Sequence, residues 1–381
     1  MFKVFLSSLV CGLLSWATYA APATLETLRS FGDFPLADLN RLLNGEVFSE
    51  RGSLMDLPGG IFAQSCFAVP IPAGEAARRL QTWDPSAHES SSKVLEFHTV
   101  HEPCYLVDFQ DLSLKIGQSA QRWLLEKSLA TTPEKSELNL THAEARELAE
   151  YAKENPNPEA TVACWVKLLQ ERATAFQQQG FDGVLPYESA GGEPVSPTAQ
   201  IRAMLGEKTV VVREFAPLLR QCGLLGGKRN PAFAPFLYWG LCDANRHATL
   251  NLGAVYLLQL GDRFQLLDVE YYVSGTYHVF ATLYEVWPIQ IGDRSGTLIW
   301  RGDFFASPAL AFTKGTERLA YGMIMAQELR KAIHCFQNDA NISSKEWMMA
   351  RATTSTSGKP RPNPQELNTL LKDPIIAVHT R

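Results

Sequence analysis

Asp268, Glu270 and His278 are spaced so that two paired strands joined by a short turn would set them on one face, with Arg301 and Asp303 farther across it. A carboxylate that orients an imidazole is the core of general-base chemistry, and an arginine beside it suits an anion. His278 is therefore the candidate base, Glu270 or Asp268 its orienter and Arg301 the anion partner. The competing reading is a polar sheet face that water simply solvates. His98, His101, Glu102 and Cys104 are metal-ligand types in close order. On a strand, however, His98 and His101 point to opposite sides, whereas a helical HExxH places both on one, so no metal is expected. No Gly-x-Ser-x-Gly elbow is present, and Gly226-Gly227-Lys228 lacks the spacing of a phosphate loop. Arg301-Gly302-Asp303 spells an adhesion tripeptide, but inside a predicted strand rather than a loop. No cofactor is expected.

The elements that must hold these residues are best marked between 236 and 306. Leu260-Gly261-Asp262-Arg263 predicts a two-residue hairpin, Ser274-Gly275-Thr276 a three-residue one and Gly292 to Ser295 a four-residue one. These turns set 255 opposite 268, 272 opposite 278 and 286 opposite 301 in a four-stranded antiparallel meander. Alternation then gathers Leu252, Tyr256, Tyr271, Tyr277, Leu283, Trp300 and Phe304 on an apolar face. Asn251, Asp268, Glu270, Tyr272, His278, Thr282, Tyr284, Arg301 and Asp303 fall on the other. Tyr256, Tyr271, Tyr277, Leu283 and Trp300 are core residues on the plain reading. They are ligand contacts if a cavity lies over that face, because they combine apolar area with polar tips.

Upstream, the pattern predicts a helix over 35–43, a strand over 61–71, a helix over 73–83 and strands over 94–100 and 105–109. From 115 to 235 the chain turns helical. Gln118 to Leu129 is one helix; another opens at Thr141 with the capping box Thr141-His142-Ala143-Glu144. A third runs from Pro158 to Gln179 between the cap Asn157 and Gly180, and Ser196-Pro197 starts a fourth that Gly206 ends. Thr316 to Phe336 forms a long helix with a stripe of Leu319, Met323, Ala326, Leu329, Ile333 and Phe336, expected to pack on the apolar sheet face. From 341 to 381 the composition is that of a flexible tail.

The first twenty residues, with Lys3, an apolar run from Val4 to Leu14 and Thr18-Tyr19-Ala20, have the three-part pattern of a cleavable signal peptide. A secreted or periplasmic location follows, with no transmembrane segment left after cleavage. Without this leader, whose only charge is Lys3, 34 basic residues face 40 acidic ones with no basic run, which excludes nucleic acid as a partner. Six cysteines remain beyond the leader; Cys222 and Cys242, which flank one loop-rich stretch, are the preferred pair.

Leu42-Leu43-Asn44-Gly45-Glu46-Val47, then Gly60-Ile61, then Val69-Pro70-Ile71-Pro72-Ala73 before a helix, resembles the opening of bacterial START-like and polyketide-cyclase-like domains of the SRPBCC superfamily. The final strand and helix, 297 to 336, are similar in arrangement, so the resemblance covers about 42–110 and 236–336. It implies an α+β helix-grip fold, an antiparallel sheet with a long C-terminal helix, here interrupted by the helical insertion at 115–235. Segments 21–114 and 236–340 would be its two parts. It also implies a hydrophobic or lipid-like ligand held between sheet and final helix without catalysis. The alternatives are an exported enzyme with its acid/base site on the polar sheet face, and an envelope assembly or interaction protein, which an exposed apolar patch on the helical block would mark.

Overall fold

The computed structural model describes residues 25–88, 93–154, 157–188, 194–291, 294–313 and 315–356, with side chains up to 341. The expected signal peptide, the tip of the 292–295 turn and residues 357–381 of the expected tail lie outside the described residues. Eight strands form one antiparallel sheet: β1 (Phe48–Arg51), β2 (Gly60–Val69), β3 (Val94–Val100), β4 (Phe236–Asp243), β5 (Ala248–Leu260), β6 (Arg263–Val273), β7 (Val279–Ile291) and β8 (Arg294–Ala306), in the order β1-β2-β8-β7-β6-β5-β4-β3. The meander is thus longer than its turns predict, β4 to β8, and β2 pairs with its last strand.

Among the described residues eleven α-helices decorate it. Two short ones come first, α1 (Leu25–Arg29) and α2 (Leu39–Leu43), the latter capped by Asp38. The third, α3 (Ala73–Thr82), follows β2 through Pro72. A block of six follows: α4 (Ser119–Leu129), α5 (His142–Glu154), α6 (Pro158–Gln179), α7 (Pro197–Gly206), α8 (Thr209–Glu214) and α9 (Ala216–Gln221). After the sheet come α10 (Pro308–Ala311) and α11 (Thr316–Thr356). Local chemistry sets the boundaries of the block as expected. Thr141 N–H donates to Glu144 while Glu144 N–H donates to the Thr141 hydroxyl, Asn157 accepts from Ala160, and Gly180 leaves α6 at φ 61°. The segment 105–109 is a 3-10 turn (Leu106–Phe109), not a strand, because Asp108 folds back to accept from Tyr105 N–H. Helix α11 continues past 341, where a tail is expected, to Thr356.

The covers of the two sheet faces differ from expectation. Tyr256, Tyr271, Leu283, Trp300 and Phe304 are fully buried in one core with Trp165, Phe176 and Phe215 of the helical block. Phe176 stacks on Tyr271 at 3.8 Å, and Phe31 and Phe215 flank Trp300 at 5.0 and 5.7 Å. The block is therefore a whole layer. The C-terminal helix α11 lies instead on the opposite face, along β2 and β1, beside α3, which crosses β5 to β8. Its inward line is Gly322, Ala326, Leu329, Ile333, Phe336 and Ala340; Met323 is 64% exposed. Small residues at the first two positions let the helix approach β2, and Phe336 meets Phe67 and Trp83 beyond them.

The helical layer is fastened by a buried charge pair. Arg172 of α6 donates from Nε and Nη2 to both oxygens of Glu144, at 2.7 and 2.6 Å, and its guanidinium lies 4.1 Å from the Tyr272 ring centroid. Cys222, buried against this layer, and Cys242, next to Asn251 on the other face, are free thiols on opposite sides of the sheet, so they do not form the preferred disulfide. Removing one member of a buried pair strands the other charge. Arg172→Ala should cost about 3 kcal/mol, read as a lowered denaturant midpoint, and Arg172→Lys should recover little because lysine cannot replace the two-pronged contact.

Candidate functional site

The register decides which polar residues meet. Val255 opposes Asp268 as expected, and Tyr284 rather than Val286 opposes Arg301, a two-residue offset that leaves every side chain on its expected face. The β6–β7 register is also the expected one, with Asp268 opposite Thr282 and Glu270 opposite Phe280 on the line that leads to 272 opposite 278. Beside the 274–276 turn, however, that last pair does not form. Pairing of β6 with β7 stops at Glu270 opposite Phe280, and Tyr271 is an extra residue between the pairs Leu252–Tyr272 and Gly253–Glu270. The cause is Asn139 of the α4–α5 connection. Its Nδ2 donates to the carbonyls of Val273 (3.0 Å) and Tyr277 (2.8 Å), holding the turn open, while Tyr187 takes the Val273 N–H at 3.1 Å.

Three assignments change as a result. Tyr272 turns with Tyr271 toward the helical layer, His278 packs against the Tyr187 ring at 5.9 Å, and Tyr277 moves to the polar face, where its hydroxyl donates to Glu270 at 2.6 Å. The expected pairing of Glu270 with His278 therefore does not form. Burial depresses the His278 pKa to about 4, which leaves a neutral core imidazole.

What remains on the polar face is a connected network. Arg301 and Asp303, two apart on β8, are joined by three hydrogen bonds of 2.7 to 2.9 Å, and Thr282 donates to the same carboxylate at 2.8 Å. The tripeptide reading of 301–303 is thus answered by a buried ion pair within a strand. Tyr238 of β4 donates to Asp268 at 2.8 Å, and Asn251 of β5 donates to Glu270 at 2.6 Å. Tyr284 lies under the Arg301 guanidinium at 5.4 Å, and Phe305, 5.3 Å from Tyr277, lies beside Phe280. Arg301, Glu270, Tyr238, Tyr277 and Tyr284 are each at least nine-tenths buried, whereas Asp268 is only partly buried and so gives the network contact with water.

Burial is also the main electrostatic force here. It pushes the Glu270 carboxyl up to about 8, against the Tyr277 and Asn251 hydrogen bonds and reinforced by Asp268. Asp268 is raised to about 6, held back by Tyr238 and by the positive charge of Arg301. Two neighbouring carboxyls with separated pKa values can hold, accept or donate a proton near neutrality. Tyr238 and Asn251 complete the site without having been singled out as site residues. Asn251 was readable from strand alternation, whereas Tyr238 sits on a strand beyond the assigned meander.

The histidine-cysteine segment does not form a site. His98 stacks on Trp239 at 4.4 Å, while His101 Nδ1 meets Asp108. Among the described residues no three His, Cys, Asp or Glu side chains are grouped to hold a metal ion, and no helix is long and apolar enough to cross a membrane. Compared with known proteins, the chain matches no family model and is not detectably similar to any curated protein.

Glu270 binds its proton more tightly folded than unfolded. Its neutral form thus favours folding fully near pH 4.5, and the contribution is lost as pH rises through about 8. Glu270→Gln keeps the shape and removes the ionisation. It should melt level with the parent at pH 5 and about 2 °C higher at pH 9, measured by circular dichroism.

Proposed function

We propose that this is an exported, helix-grip-like protein that binds a small amphipathic molecule on the polar face of its sheet, in the trough beside α3 and α11. Its helix-grip character is supported by topology. A first long strand, β2, leads into a helix and pairs with the last strand, the strands between run in reverse order across the sheet, and the long helix that follows returns to the same face as α3. In such a fold the ligand belongs between the sheet and the final helix. On that side Asp268, Glu270, Thr282, Arg301 and Asp303 lie together with the rings of Tyr238, Tyr277 and Tyr284 beside them. This combination, with Asp268 reached by water, is the observation that carries the reading.

The ligand contacts proposed from the sequence redistribute accordingly. Tyr277 belongs to the trough, while Tyr256, Tyr271, Leu283 and Trp300 pack as core under the helical layer. The enzyme reading keeps one favourable observation, the separated pKa values of Asp268 and Glu270, and would use these two with Arg301 as anion partner, without His278. The interaction-protein reading has less support, because the exposed apolar residues of the helical region, Ile116, Leu129, Tyr151, Leu185 and Val210, are scattered singly over different helices and connections.

Native mass spectrometry and solvent extraction of the full chain, purified from its own compartment, should recover a small molecule that Arg301→Met or Asp268→Asn reduces severalfold. Recovery of nothing, together with amide spectra in which no library compound moves the Asp268 or Tyr284 signals, would sink the binding reading. Turnover of a compound lost in Glu270→Gln would favour the enzyme instead.

A further inference from the structure

We infer that the trough takes an organic ammonium ion, a positively charged nitrogen carried on an apolar or aromatic body, with Asp268 as its counter-ion. The inference rests on the binding reading above and names the ligand class. Arg51 lies in register with Asp303 at the exposed β1 edge of this face, and within the network itself three carboxyl groups, on Asp268, Glu270 and Asp303, share a single guanidinium. That guanidinium is committed. Arg301 gives Nε and Nη2 to Asp303, so its charge is paired within its own strand; through space it still lowers the Asp268 pKa, but it donates no hydrogen bond to that carboxylate.

Asp268 has one partner, the Tyr238 hydroxyl on Oδ1, and Oδ2 has none among the described residues. A carboxylate withdrawn from bulk water wants a paired charge. Two further polar groups in the trough are incomplete. Asn251 Oδ1 is a buried acceptor without a donor, and the hydroxyl of Tyr284, a side chain more than nine-tenths buried, has no hydrogen-bond partner among the described residues. Tyr284 shares the face with Arg301 opposite it, one strand from Asp268. Asp268 Oδ2 and Asn251 Oδ1 are acceptors that an N–H-bearing cation satisfies.

The surrounding rings make the same selection. Tyr238 against Phe97 at 4.8 Å, Tyr284, and Tyr277 with Phe305 and Phe280 present aromatic surface next to the carboxyls. An aromatic face attracts a cation through its quadrupole and an apolar body through contact, most strongly where water is excluded. A fatty acid or other anion would instead place its charge against the Asp268 carboxylate.

Isothermal titration of the full chain with 2-phenylethylammonium, 2-phenylethanol and phenylacetate separates the possibilities. At pH 7.5 the ammonium should bind about tenfold more tightly than the alcohol, the size of one charge-assisted contact, and phenylacetate most weakly. Because Asp268 must be ionised, that advantage should shrink as pH falls through about 6. Asp268→Asn, which keeps the Tyr238 bond, should abolish it, and Tyr284→Phe should weaken all three probes severalfold while melting like the parent. Alcohol or phenylacetate binding as well as the ammonium, with Tyr284→Phe still weakening them, would overturn the ammonium assignment and leave the binding site standing. An ammonium advantage unchanged in Asp268→Asn would place the cation elsewhere and overturn the inference. Failure of all three at millimolar concentration would overturn both.

Discussion

An antiparallel sheet that carries Tyr256, Tyr271, Leu283, Trp300 and Phe304 on one face must cover that face with another layer. The helices from α4 to α9 are that layer, and the rest of the molecule follows from their position. They occupy the apolar side, so the N-terminal helix α3 and the C-terminal helix α11 are left with the polar side. There they bury the row of Phe67, Ile299 and Val286 across β2, β8 and β7 together with Phe336, while Asp268 on the same face stays partly exposed.

The same layer shapes the site from behind. Asn139 and Tyr187, both from the helical region, take backbone groups of Val273 and Tyr277 that a tight hairpin would have paired across the strands. That exchange of partners keeps backbone polar groups satisfied while sending His278 into the core and Tyr277 to Glu270. A loop far from the sheet in sequence thus selects which aromatic residue completes the carboxyl network.

The network is tolerable in the interior because most of its charge is internally matched. Arg301 and Asp303 neutralise each other two residues apart on one strand, and Thr282 adds a hydrogen bond. Glu270 is held by two donors and kept protonated by burial, so the least compensated group is the one nearest water, Asp268. Structural pairing on this face thus stops at a partly exposed carboxylate.

The sequence by itself determined the local features: the capping box at Thr141, the ends of α6 at Asn157 and Gly180, the Leu260–Arg263 hairpin and the presence of Asp268, Glu270, Arg301 and Asp303 on one face. Each depends on neighbours a few residues away or on strict alternation, which a chain carries in its own order. Tertiary structure decided which layer covers which face, the opening of the 274–278 turn and the inclusion of Tyr238. Each of these depends on groups more than a hundred residues apart or on strands that sequence neighbours do not mark. Periodicity shows that a face is apolar and says nothing about which of two amphipathic helical segments will reach it. Here the larger block, with Trp165, Phe176 and Phe215, fills the broad aromatic face, and the narrower Gly322-Ala326 side of α11 fits against β2.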